Sequence, residues 1–270
     1  MKFSSALLFF FFTKLFFCHG YSFPSARSLA LNGSDVAFSD SNSINKNITN
    51  TDFSNTSVLE FCHLQNYFVQ SLAESSIRFQ KTFSTNQILQ LSCSYSGDKQ
   101  YNSQMYSAGY GIKLAPTFNV GLQINIDRNS FSEIKYNNYT DIYPNLSFFL
   151  KATKKINLGA IITNPQRLKL NKTSNLPSQI EFSFGLNANS STKFGFTIKQ
   201  LSSSKALTTF AIEYKLISNW YLRAAYETHL NKVCCGFRIT YSNLFFDFAF
   251  TNQLYTGSNS SLSVIIPLKK

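Results

Sequence analysis

Apolar and polar residues alternate at a period of two from about residue 74 to the C-terminus. Between Leu244 and Phe250, Leu244, Phe246, Phe248 and Phe250 occupy one set of positions, and Phe245, Asp247 and Ala249 the other. Side chains of an extended chain point to opposite faces in turn, so this strand has one wholly apolar face and one that carries a charge. The strictest case sets Phe118, Val120, Leu122, Ile124 and Ile126 against Asn119, Gly121, Gln123, Asn125 and Asp127. The pattern predicts strands over 74–82, 86–97, 103–114, 117–128, 142–152, 155–163, 178–187, 192–200, 206–216, 218–229, 232–241, 243–253 and 259–267, preceded by a weakly patterned strand over 58–70. Short connections (Ala115-Pro116, Ser218-Asn219) alternate with longer ones (129–141, 164–177, 253–259).

Strands with one apolar face belong either in a sandwich, apolar face against apolar face, or in a membrane barrel, apolar face toward lipid. The charge recurring on the second face, strand lengths that suit a tilted crossing of a hydrocarbon layer, and the alternation of short and long connections favour the barrel. The expected fold is an all-β antiparallel transmembrane barrel of about 14 strands (12–14). In it Arg78, Lys113, Asp127, Lys151, Glu181, Glu213, Arg223, Glu227, Arg238 and Asp247 face the lumen. Phe118, Phe194, Phe196, Trp220, Leu222, Phe237, Phe246 and Phe248 face lipid. A soluble secreted β-sandwich or adhesin is the competing class.

Composition supports strands: 16% of the residues are aromatic, with 28 Phe and 14 Tyr but one Trp. Residues 1–20 read as a secretory leader, with Lys2, an apolar run interrupted by Lys14, and cleavage near Gly20. Leu15-Phe16-Phe17 lacks the small residues that precede a lipidated cysteine, which argues against a lipid on Cys18. Residues 21–57 form an irregular segment with an apolar patch at Leu29, Ala30, Leu31, Val36, Ala37 and Phe38. This segment either folds into the barrel mouth or is a linker; residues 58–270 make the barrel.

Loss of Lys2 and Lys14 with the leader takes the formal charge from +12 to about +10. Such a charge suits a solvated rim, lumen lysines and anionic headgroups. The lysines form no aromatic-interleaved groove, so nucleic acid is not an expected partner. Cys62, Cys93, Cys234 and Cys235 have no CxxC spacing and read as small apolar fillers, so no metal or other cofactor is expected. His63 and His229 are isolated, and no nucleophile elbow, zinc-protease helix or phosphate loop occurs, so the chain does not read as an enzyme. Arg223, Glu227, Arg238 and Asp247 read as a charge network filling a narrow lumen, or as a polar constriction for a solute. Eight Asn-x-Ser/Thr sites follow from the abundance of Asn and Ser.

The stretch Ser25-Ala26-Arg27-Ser28-Leu29-Ala30-Leu31-Asn32-Gly33-Ser34-Asp35-Val36-Ala37-Phe38-Ser39-Asp40 resembles the opening of mature PorV/PorQ-type outer-membrane proteins of Bacteroidota. Those proteins are related in fold to the FadL long-chain fatty-acid transporters. Ile161-Ile162-Thr163-Asn164-Pro165, and Phe246 to Phe250 followed by Tyr255-Thr256-Gly257-Ser258, are similar to further segments of that family. Asn47-Ile48-Thr49-Asn50 stands where the family has Asn-Pro-Ala-Gly, and Ile266-Pro267-Leu268-Lys269-Lys270 replaces a terminal aromatic residue. The resemblance implies outer-membrane lipid as surroundings and an accessory or scaffold role toward secreted or surface proteins. Its alternative is passive transport of a small hydrophobic ligand. A chain this short is expected to leave little room for a hatch, which favours the scaffold.

Overall fold

Strand alternation closes into a cylinder. A computed structural model of the chain describes residues 23, 25–38, 44, 46–50, 53, 57–133, 136–165, 178–202, 204–254 and 256–268. The leader assigned to residues 1–20, Tyr255 and the terminal lysines lie outside the described residues. Fourteen strands follow one another: β1 (Ser57–Asn66), β2 (Ala73–Ser84), β3 (Gln87–Gly97), β4 (Tyr101–Ala115), β5 (Phe118–Phe131), β6 (Tyr139–Lys151), β7 (Ile156–Thr163), β8 (Gln179–Asn187), β9 (Thr192–Leu201), β10 (Leu207–Ile217), β11 (Trp220–Glu227), β12 (Lys232–Tyr241), β13 (Leu244–Gln253) and β14 (Gly257–Leu268). Each pairs with the next antiparallel, and β1 pairs with β14 from Ser57↔Leu268 to Asn66↔Asn259, so the barrel has no free edge.

Strand β1 ends earlier than its sequence pattern suggests. Tyr67 and Phe68 take positive φ (54° and 55°), and a 3₁₀ turn at Gln70–Leu72 follows, so the chain leaves the ladder at Asn66. One rim carries the short turns between β2 and β3, β4 and β5, β10 and β11, and β12 and β13, together with the start of β1 and the end of β14. The longer connections gather at the other rim.

Burial follows the two-residue period. Along β5, Asn119, Gln123 and Asn125 are buried while Leu122, Ile124 and Ile126 are exposed. The exposed face is the wall's exterior, the buried face its interior. Apolar surface on the outside and amides within invert the soluble pattern, as a hydrocarbon surround requires.

The interior is occupied by the chain's own N-terminal segment. A short helix, α1 (Ala26–Ala30), lies against β11–β14; a 3₁₀ turn at Ser34–Ala37 meets β7–β10; and a second at Ile48–Asn50 meets β4–β6. Gly33, at φ +83°, lets the chain leave α1 with its N–H bonded to the Ser28 carbonyl at 2.9 Å. Phe38 and Leu31 of this plug pack with Ala211, Ala225 and Cys234 of the wall.

Candidate functional site

The site is the seam between plug and wall. Room for the plug comes from inward-facing glycines. A Cβ on Gly185 would sit 2.7 Å from the Ala37 carbonyl oxygen, one on Gly236 2.6 Å from the Ala30 Cβ, and one on Gly121 2.6 Å from Ile48 Cγ2. The expectation that a chain of this length lacks space for a hatch is therefore corrected. Side-chain volume was removed from the wall where the plug touches it.

Polar groups then tie plug to wall. Arg27 donates to Glu213 through Nε (3.2 Å) and Nη2 (3.3 Å). The Asn32 amide donates to Glu227 (2.7 Å) and Thr209 (2.9 Å), and Lys232 donates to the Asn32 side-chain oxygen (2.9 Å). Lys46 pairs with Glu181 at 2.5 Å. Asn47 donates to the Phe148 carbonyl, and Asn119 of the wall donates to the Thr49 carbonyl. Irregular backbone inside a barrel needs such partners, because its N–H and C=O groups have no ladder of their own.

The structure places the ten charges of the lumen set as follows. Arg223, Arg238 and Asp247 form one network: Asp247 accepts from Arg223 Nη1 at 2.6 Å and from Arg238 Nε and Nη2 at 2.8 and 2.7 Å. Glu213 joins it through Arg223 Nε at 2.8 Å, and Lys193 approaches the same carboxylate at 3.3 Å. Arg238 also stacks over the Phe245 ring. Glu227 and Glu181 hold the plug as described. Arg78 pairs with Glu60 at 2.6 Å, both fully buried. Asp127 is half-buried and accepts from Ser103. Lys113 and Lys151 lie near the short-turn ends of their strands, half-buried and exposed respectively, apart from the network. Of the lipid-facing set, Phe194, Trp220, Leu222 and Phe237 are exposed. Phe118, Phe196, Phe246 and Phe248 are partly covered by neighbours, as where Phe237 and Phe248 stack at 4.8 Å.

Sequence reasoning missed Glu60, which sits in the weakly patterned first strand, and the plug partners Arg27, Asn32 and Lys46. It also missed a circumferential row. Gln80 lies opposite Gln90, Gln90 opposite Gly109, Gly109 opposite Gln123, and Gln123 opposite Asn145. Four amides thus line one register row of the inner wall with a glycine gap. The signal was present as Gln and Asn on successive polar faces, but only the register brings them level.

No protein-family model matches the chain, and no curated protein matches it in sequence. Solved structures are. A FadL homologue from Pseudomonas aeruginosa superposes with a TM-score of 0.62 at 11% identity, covering 92% of this chain and 99% of that one. A mutant of TodX, described as a monoaromatic hydrocarbon channel, gives 0.63 at 10% identity over 92% and 98%. The toluene transporter TodX from Pseudomonas putida gives 0.56 at 10% identity over 78% and 87%. The fold is FadL-like. At these identities the likeness concerns the path of the chain, so the chemistry of this FadL-like barrel has to be read from its own lumen.

Proposed function

We propose that the protein, after losing its leader near Gly20, sits in the outer membrane with its short turns toward the periplasm, and that it is a passive channel for small solutes, closed at rest by its own plug. The observation that carries this reading is the nature of the seam. Among the described residues the plug meets the wall in four small, separate apolar clusters, and between them it is tied by hydrogen bonds and ion pairs, Arg27–Glu213, Asn32–Glu227 and Lys46–Glu181 among them. Water can replace such partners when the segment shifts, whereas a continuous apolar core would resist hydration. The Arg223–Asp247 and Arg238–Asp247 pairs join wall strand to wall strand, so this pairing does not pass through the plug. No catalytic step is assigned to any group. A small hydrophobic cargo is what the likeness to TodX suggests.

Planar-bilayer recording tests the reading. Arg27→Ala combined with Asn32→Ala removes two ties and is expected to raise single-channel conductance severalfold, and removal of residues 21–50 to raise it further. Absence of conductance in all three forms would overturn the channel.

A second reading, the PorV/PorQ-type scaffold toward secreted partners, is favoured by one feature. The long-connection rim displays exposed apolar side chains, Phe68, Val69, Leu72 and Leu254, which a partner protein would cover. Under that reading the plug never leaves, and conductance stays absent in the intact chain and in the Arg27/Asn32 double variant.

A further inference from the structure

The inner wall of β2–β7 carries hydrogen-bonding groups that no described residue satisfies. Gln90 Oε1, Asn145 Oδ1 and Arg78 Nε have no hydrogen-bond partner among the described residues, and all three side chains are more than nine-tenths buried. The three residues line one pocket of about 20 Å³, with Gln123 and Asn125 of the wall and Phe23 and Lys46 of the plug. Buried polar atoms left without partners are costly, so three at one pocket mark a place where something else makes the bonds.

The chemistry of the pocket restricts what that is. Its two cations are already neutralised, Arg78 by Glu60 at 2.6 Å and Lys46 by Glu181 at 2.5 Å, so no net charge calls for an ion. What remains is an N–H donor on Arg78 and carbonyl acceptors on Gln90 and Asn145. A hydroxyl accepts from one donor and donates to one acceptor, so two neighbouring hydroxyls of one molecule answer all three. The Gln123 amide donates to Asn125 at 3.1 Å, which orients that side of the row. Phe23 offers an apolar face for C–H groups between hydroxyls. The volume at rest holds a water or two; anything larger enters as Phe23 and Lys46, both plug residues, withdraw.

We propose that this amide row is a binding site for a small neutral polyol, and that such solutes, rather than apolar ones, are the cargo of the channel. The inference rests on the channel reading for its second half only. The site itself is a property of the wall.

The test uses the full mature chain and arabitol as the probe. Saturation-transfer NMR on the detergent-solubilised protein reads binding, and swelling of protein-bearing liposomes reads passage. Gln90→Leu and Asn145→Leu keep side-chain size while removing an acceptor. Each is expected to weaken arabitol binding about fivefold, the worth of one hydrogen bond, and to slow swelling in step. Gln90→Glu keeps the acceptor oxygen and is expected to retain binding. Heat-modifiable migration in gels establishes that each variant is a folded barrel, and Arg78→Lys, which keeps a cation facing Glu60 and removes the Nε–H donor, replaces any that is not. Arabitol binding that is absent, or that survives both leucine variants, overturns the site. Ion conductance without arabitol passage overturns the cargo and leaves the channel standing. Binding without passage of any solute retains the site and removes the channel.

Discussion

Asp247→Ala is expected to destabilise the barrel by about 3–5 kcal/mol, because it leaves two buried guanidinium groups without their shared carboxylate. Asp247 has no exposed surface and accepts three hydrogen bonds, from Arg223 Nη1 and from Arg238 Nε and Nη2. Arg223 retains Glu213 at 2.8 Å, and Arg238 retains its stacking on the Phe245 ring. Two of the three hydrogen bonds lost belong to Arg238. Urea unfolding of the liposome-inserted protein, followed by loss of the fast-migrating folded band, measures it. Replacing Arg238 and Asp247 together by Met and Leu is expected to restore most of the stability, since a buried pair exchanged for apolar groups of similar volume is often close to neutral. A single-variant loss under about 1 kcal/mol would mean that water reaches this network and that the lumen is wetter than its packing implies.

Phe248→Arg, one residue further along the same strand, tests the opposite face. Phe248 points outward and stacks on Phe237 at 4.8 Å, its direct cross-strand partner. A cation facing hydrocarbon costs about 2–4 kcal/mol at midplane depth, in addition to the lost stacking. The same substitution on a water-facing sheet would cost little. Refolding yield into lipid vesicles, with the unfolding midpoint in urea, reads the difference. An unchanged midpoint, or a variant that stays dispersed without detergent, would contradict a lipid-facing exterior.

The strands were legible because the signal for them is local. Five apolar residues on strict alternation from Phe118 to Ile126 need no distant partner to be recognised, and closure follows once every strand has one apolar face. Strand β1 was read poorly because Glu60 and Cys62 interrupt no obvious period, and its end is set by Tyr67 and Phe68 in the left-handed region, which neither residue type announces. The plug was half legible. Its apolar patch at Leu29–Leu31 and Val36–Phe38 stood out, but the space for it depends on Gly121, Gly185 and Gly236, residues far apart in the chain whose missing side chains converge only in the closed barrel. The amide row was illegible for the same reason. Gln90 and Asn145 become neighbours of one pocket through two intervening strands, and register at that distance is not written in either segment.

The chain carries one tryptophan, Trp220, at the short-turn end of β11 with its side chain on the exterior. Fluorescence of the protein in vesicles made with brominated acyl chains tests the central claim, that apolar residues of this barrel face lipid while its charges face inward. The account predicts blue-shifted emission, strongly quenched by the brominated lipid and barely by aqueous iodide. Emission that iodide quenches and brominated lipid leaves untouched would contradict it.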